Sequence, residues 1–258
     1  MRLTHCLSTG LAAGVVCLGF SGLAEAQELG TIKGTFVVEG EVPQLPPKVE
    51  QGEQVKDSAV CAASPVPDLS IVVDPKTKGL KNVFIWIDDF DPEDIPEAMA
   101  KPKNPTVVCD QKGCRFIPHA AFAWTEQTLV LKNSDPIAHN FHVTAIRGDS
   151  FNPIIAANDQ NGVKQDLEKG DMLPVPVTCD IHSWMRANLL VLEHPYAAIS
   201  GDTGTFEISG IPPGEYDFTV WHEAAGLLRD FEVEGVEIEA GKTVDLGKLV
   251  VPADELEP

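Results

Sequence analysis

The sequence predicts an all-β protein built from two small β-sandwiches, one inserted in or flanked by the other. Three observations predict it. From Gly30 onward apolar residues alternate with polar ones over short runs, and clusters rich in Gly, Pro, Asn and Asp punctuate those runs. No stretch carries the apolar spacing of a long amphipathic helix.

The chain opens on a segment with a different purpose. Residues 1–26 read as a secretory signal: a charged Arg2, an apolar core from Leu11 to Phe20, and Ala24-Glu25-Ala26 as a small-residue cleavage site. A mature chain starting near Gln27, periplasmic or secreted, is expected. Cys17 invites comparison with a lipid-attachment cysteine, but Val16 before it is a poor match. The apolar run is too short to span a bilayer and no later stretch approaches that length, so no membrane span is expected. The signal holds one Arg and one Glu, which leaves the net charge of −20 unchanged on cleavage. Such an acidic chain repels nucleic acid and anionic lipid and is steered toward a basic partner surface.

The elements follow in order. Ile32, Gly34, Phe36 and Val38 share one face of a first strand that Gly40 ends. Pro43, Pro46 and Pro47 open a loop expected to wander to about Leu69, followed by a short strand from Ser70 to Val73 and a buried one, Val83-Phe84-Ile85-Trp86-Ile87. The acidic, proline-rich run from Asp88 to Pro105 reads as a surface crossing and a domain boundary. Strands are expected at Val107 to Cys109, Arg115 to Ile117, Gln127 to Leu131, Asn140 to Ala145, Pro174 to Val177 and Ala187 to Leu192. In the tail, Gly204 to Ile208, the strand carrying Tyr216, Phe218 and Val220, Phe231 to Ile238, and Val244 to Val251 read as four more. Four strands are few for a core of their own, and the early strands can complete it. The resemblances described below imply a division into 27–103 and 194–258 for one discontinuous sandwich, with 104–193 inserted.

Four cysteines remain after the signal: Cys61, Cys109, Cys114 and Cys179. In an oxidising compartment pairing is the default. If Cys179 binds a metal, one disulfide forms among the other three. Cys61 with Cys114 is preferred because Cys109 continues the apolar run Val107-Val108, although sequence leaves the connectivity open.

The chemistry concentrates in Thr178-Cys179-Asp180-Ile181-His182-Ser183-Trp184-Met185-Arg186, which spaces a thiol, an imidazole and a thioether three residues apart. A buried cysteine, a solvated histidine and a core methionine near the end of a β domain often coincide by chance. Three soft or borderline ligands in seven residues, with a histidine about 40 residues upstream on the apolar face of a strand, are harder to dismiss. That histidine is His139, which shares its face with Phe141 and Val143, whereas His142 lies on the polar side.

This loop, with His139-Asn140-Phe141-His142 upstream, resembles the copper site of the cupredoxins, the type 1 blue copper proteins. It is most similar to amicyanin/plastocyanin-like members with a short Cys-x₂-His-x₂-Met spacing. The resemblance implies a cupredoxin Greek-key β-sandwich over 104–193, one copper ion, His139, Cys179 and His182 as equatorial ligands, and Met185 as the axial one. It also implies that Asn140 hydrogen-bonds across to the cysteine loop. Ser183 and Trp184 depart from the Pro and Phe usual there. The flanks, on Gly30-Thr31-Ile32-Lys33-Gly34-Thr35 and on Gly204 through Tyr216, resemble the carboxypeptidase regulatory-like, or transthyretin-like, β-sandwich with its carbohydrate-binding-like fold.

The function these resemblances imply is one-electron transfer between partner proteins, a dehydrogenase or a cytochrome among the candidates. His182 is the expected outward edge, and Trp184 with nearby apolar residues the docking patch. Copper sequestration with the same ligands, or a glycan- or envelope-binding sandwich with an accessory copper domain, are the alternatives. No catalytic residue is assigned and no enzyme is expected, since the chain lacks the paired His-x-His strands of a multicopper oxidase and any Ser/His/Asp arrangement. His119, His194 and His222 read as structural, Trp86 and Trp221 as core, and Asp88, Asp89, Asp91, Glu93 and Asp94 as a solvated acidic loop rather than a hard-cation site.

Overall fold

The computed structural model describes residues 28–231 and 233–257. The expected signal segment, with Cys17, lies outside them. Among the described residues the one α-helix is the single turn Ser58–Cys61, and no helix is long and apolar enough to cross a membrane.

Four sheets stack with apolar clusters between them. In the first, Gly30–Glu39 lies between Thr205–Ile211, antiparallel, and Thr243–Pro252, parallel. Its burial alternates, with Ile32, Phe36 and Val38 inside, as the two-residue period of a strand requires. The second sheet runs Ala197–Ile199, Phe84–Ile87, Phe218–His222, Gly226–Leu227. Phe36, Ile85, Ile87, Tyr196, Phe206 and Val251 belong to the core that joins these two sheets. Strands from both ends of the chain therefore close one sandwich. Gly204 permits the tight approach at its edge: its φ is +79°, and a Cβ there would lie 2.1 Å from the Phe36 carbonyl oxygen.

The middle of the chain builds the other two sheets. One runs Ala120–Trp124, Arg186–Leu192, Val175–Thr178, His142–Val143; the other runs Val163–Asp166, Thr128–Leu131, Thr106–Gln111, Phe116–Ile117. Each contains one parallel pair, Ala120–Trp124 with Arg186–Leu192 and Thr106–Gln111 with Thr128–Leu131. Between them lie Phe116, Leu129, Leu131, Phe141, Val177 and Leu189, together with Cys179 and Met185.

A third apolar layer joins the two sandwiches back to back. Ile85 and Ile87 enter the first core while Phe84 and Trp86 turn the other way; Leu189 and Val191 enter the second while Leu190 and Leu192 turn to meet them. Both strands are thus covered on both faces. This is why Val83 to Ile87 and Leu189 to Leu192 read as unbroken apolar runs.

Several expected elements differ. Ser70 to Val73 forms no strand, only an isolated bridge from Val73 to Leu80. Among the described residues of Phe231 to Ile238, Val236–Ile238 forms the paired strand. Ala120–Trp124 was unmarked in the sequence because alanine is a poor strand former and burial of four of its five residues erases alternation. The expected run from Asn140 to Ala145 is two short pieces, His139–Asn140 and His142–Val143, which pair with different partners.

The proline-rich loop does not wander. Residues 48–66 fold back on themselves through a Val49–Val66 bridge and lie against the middle sandwich, where Val49, Ala62 and Val66 cluster with Val55 and Trp184. A Cys61–Cys114 disulfide pins this strap, its Cα atoms 5.2 Å apart. Cys109 is a buried free thiol, pushed up to about 12 by burial.

Candidate metal centre

Each candidate ligand is set by local chain geometry. Before His139 the turn is locked by Asn133, whose Oδ1 accepts the Asp135 N–H at 2.9 Å and whose Nδ2 donates to the Ile137 and Ala156 carbonyls at 2.7 and 3.0 Å. His139 then pairs with Ile155 on a two-residue strand and is fully buried. Cys179 follows Val175–Thr178, and Arg186–Leu192 returns antiparallel with Thr178 opposite Arg186. Residues 179–185 are therefore the loop of a tight hairpin. Inside it the Met185 N–H donates to the His182 carbonyl at 3.0 Å.

Three ligand atoms converge. The Nδ1 atoms of His139 and His182 are 2.9 Å apart, Cys179 Sγ is 3.9 Å from His182 Nδ1, and the set lies within 4.8 Å of one another, all three residues buried. Met185 is 1% exposed and belongs to the same apolar cluster as Cys179. Asn140 Oδ1 accepts the Asp180 N–H at 2.8 Å and the Cys179 thiol at 3.2 Å, while its Nδ2 donates to Asp180 Oδ2 at 2.9 Å. His142 stands apart, half-buried and bonded to Asp180 Oδ1 at 2.8 Å.

Two carboxylates that sequence reading missed complete the geometry. Asp135 Oδ2 is 3.0 Å from His139 Nε2, and Asp57 Oδ2 is 2.9 Å from His182 Nε2. Asp135 had a faint signal, four residues before His139 on a turn. Asp57 had none, because 125 residues separate it from His182.

The electrostatics suit a cation. Burial alone raises the Cys179 thiol, but hydrogen bonds from His139 and His182 outweigh it and bring it down to about 5. Burial disfavours charged His139, yet its bonds to Asp135 and Cys179 raise it on balance. Burial likewise opposes ionised Asp135, and the bonds from His139 and from the Cys114 and Gly113 N–H groups overcome that and lower it. With a carboxylate facing each Nε2, both Nδ1 atoms turn to one point beside the Cys179 sulfur. The two Nδ1 atoms are hydrogen-bonded at 2.9 Å, and nitrogens held about 2 Å from one ion at a near-right angle would lie about 3 Å apart, so an ion could replace the shared proton with little movement. The donor set therefore fits a single metal ion of borderline-soft character. A neighbouring trio of Cys114, Asp135 and His139 does not, because the Cys114 sulfur is in the disulfide.

Two expectations are overturned. His182 is not an outward edge: its side chain is 0% exposed, with Asp57 and the strap over it. Trp184 is not a free patch either. It packs on His182 with ring centroids 5.3 Å apart and on Val49, Ala62 and Val66. Elsewhere, His119 pairs with Glu223 at 2.5 Å, His194 packs between Phe90 and Tyr196, and His222 is buried. Trp86 and Trp221 belong to the layer between the sandwiches, and Asp88, Asp89, Asp91, Glu93 and Asp94 are exposed.

Residues 182–246 match the family described as polysaccharide lyase family 4, domain II. A curated relative, "Probable rhamnogalacturonate lyase B" of Aspergillus flavus, is 35% identical over 77 residues, 30% of this chain and 11% of its own length. The chain thus spans about a tenth of that relative. Among solved structures, the copper-containing nitrite reductase of Thermus scotoductus is similar over 35% of this chain and 23% of its own, at 19% identity and a TM-score of 0.31. Amicyanin from Paracoccus versutus is similar over 42% of this chain and 96% of its own, at 16% identity and a TM-score of 0.27.

Proposed function

We propose that this chain is an exported type 1 copper protein that carries single electrons between partner proteins. One observation carries the reading: two imidazole Nδ1 atoms and a cysteine sulfur with a depressed pKa converge in a buried pocket at the end of a β-sandwich. Copper held there would supply a one-electron couple between its two common oxidation states. His139, Cys179, His182 and Met185 would hold it, their soft and borderline donors suiting both states. The hairpin and the short strand hold these donors in place without the ion, so little rearrangement accompanies a change of charge. Burial excludes water from the site, and the acidic surface selects a basic partner in a salt-dependent way.

The test is to load the purified protein with Cu(II) and record its visible spectrum. An intense thiolate-to-copper band is expected, and Cys179→Ser is expected to abolish it. A colourless copper adduct, or a band that survives Cys179→Ser, would overturn the reading. Sequestration with the same ligands differs in rate: fast electron self-exchange supports a carrier, and ready transfer of the metal to an acceptor protein supports sequestration.

A second reading is favoured by the match of residues 182–246 to a polysaccharide lyase domain. In it the sandwich that closes the two ends of the chain binds a glycan. Titration of the whole protein with pectic oligosaccharides, followed by tryptophan fluorescence, checks it. A saturable change supports this role, and none at millimolar sugar removes it.

A further inference from the structure

Both candidate histidine ligands carry a carboxylate on the ring atom opposite the shared point, and the two carboxylates come from segments far apart in sequence. Asp57 precedes the turn Ser58–Cys61 in the left-handed region, at φ 53°, a conformation that non-glycine residues rarely adopt. Its side chain makes no helix cap. Its backbone carbonyl accepts the Val60 and Cys61 N–H groups, and its carboxylate reaches His182 instead. Asp135, 5% exposed, accepts the Gly113 N–H at 2.6 Å and the Cys114 N–H at 2.8 Å in addition to its contact with His139. Cys61 and Cys114, the residues next to these contacts, are joined to each other. One covalent bond therefore ties together the two backbones that orient the two rings.

An imidazole that presents Nδ1 to a metal must carry its proton on Nε2, and a carboxylate at Nε2 selects that tautomer, fixes the ring plane and raises the basicity of the ligating nitrogen. Resting on the copper reading above, we propose that Asp57 and Asp135 are the positioning residues of this centre. Each accepts a hydrogen bond from the Nε2–H of one histidine, and the Cys61–Cys114 bond holds them as a unit so that the strap of residues 48–66 seals the His182 edge. Sealing has a consequence for traffic. A partner cannot touch the His182 ring directly and must dock over the strap, whose Glu50, Gln51, Glu53 and Lys56 are exposed.

Wild-type protein and the variants Asp57→Asn, Asp57→Glu and Asp135→Asn test this through three readouts. In the metal-free wild type, ¹⁵N spectra of the rings are expected to show Nε2–H on His139 and His182. An unprotonated Nε2 on His182 would overturn the assignment without any variant. After copper loading, Asp57→Asn and Asp135→Asn are expected to lose metal to a chelator about 10- to 100-fold faster than wild type. Loss of a negative charge also weakens Cu(II) more than Cu(I); a tenfold difference between the two reads as a rise of about 59 mV in reduction potential. General loosening would weaken both states alike and leave the potential in place. Asp57→Glu is expected to recover the wild-type potential, since the charge returns. Unchanged release rates and potentials in both Asn variants would overturn the positioning roles while the copper reading stands. Absence of the thiolate band in wild type itself would overturn both.

Discussion

The histidines of this chain show how burial and a partner decide what one residue type does. His139 and His182 are buried with carboxylates, whereas His194 and His222 are buried without a comparable bond, and burial lowers each of the latter to about 4. In the unfolded chain these two rings take up protons near the ordinary value of about 6.5. The folded state holds out until about pH 4, so their contribution is intact above pH 6.5 and is lost as the pH falls from there toward 4. The full loss is on the order of 3 kcal/mol per ring. Urea denaturation of the metal-free protein at a series of pH values is expected to show falling stability over that window. His194→Gln is expected to flatten the slope; an unchanged slope would assign the loss to other groups.

At the scale of elements, the strap of residues 48–66 is the one that sequence reading rated lowest. It has no strand, one helical turn and three prolines leading into it, yet it covers His182 and supplies Asp57. Its hold depends on the Cys61–Cys114 bond, which closes a loop of 53 residues. The Cys61→Ser, Cys114→Ser double variant is expected to lose about 2–4 kcal/mol of stability, most of it through a freer unfolded chain. It should also expose Trp184, whose ring packs on the strap. Calorimetry measures the first effect, and a red shift with faster quenching of tryptophan emission by iodide measures the second. The hairpin loop 179–185 was legible for the opposite reason: all its signals lie within nine residues, and the strands on either side announce themselves by apolar content.

The four larger sheets of the described residues stack with apolar layers between them, and the middle layer determines whether the two sandwiches act as one body. Leu190 is fully buried there against residues of the other sandwich and contributes nothing to the metal pocket directly. Leu190→Ala is expected to cost about 2–5 kcal/mol. In calorimetry it should split a single unfolding transition into two, since each sandwich keeps its own core. A single transition lowered in temperature would mean that the sandwiches cannot fold separately. The two proposed roles would use different sandwiches, so this layer is where one would be coupled to the other.

Much of this protein was legible in the chain itself. The period of two in Gly30–Glu39, the Gly and Pro turns, and the Cys179, His182, Met185 spacing are local, because a strand face and a hairpin loop are fixed by neighbouring residues. The pairing of the first strand with the last, the burial of His182 and the carboxylate behind it were decided only by tertiary structure. Each joins residues about 100 or more positions apart or depends on a packed neighbour, as with Asp57 and His182. Nothing in a residue's own surroundings along the chain encodes which distant side chain will face it.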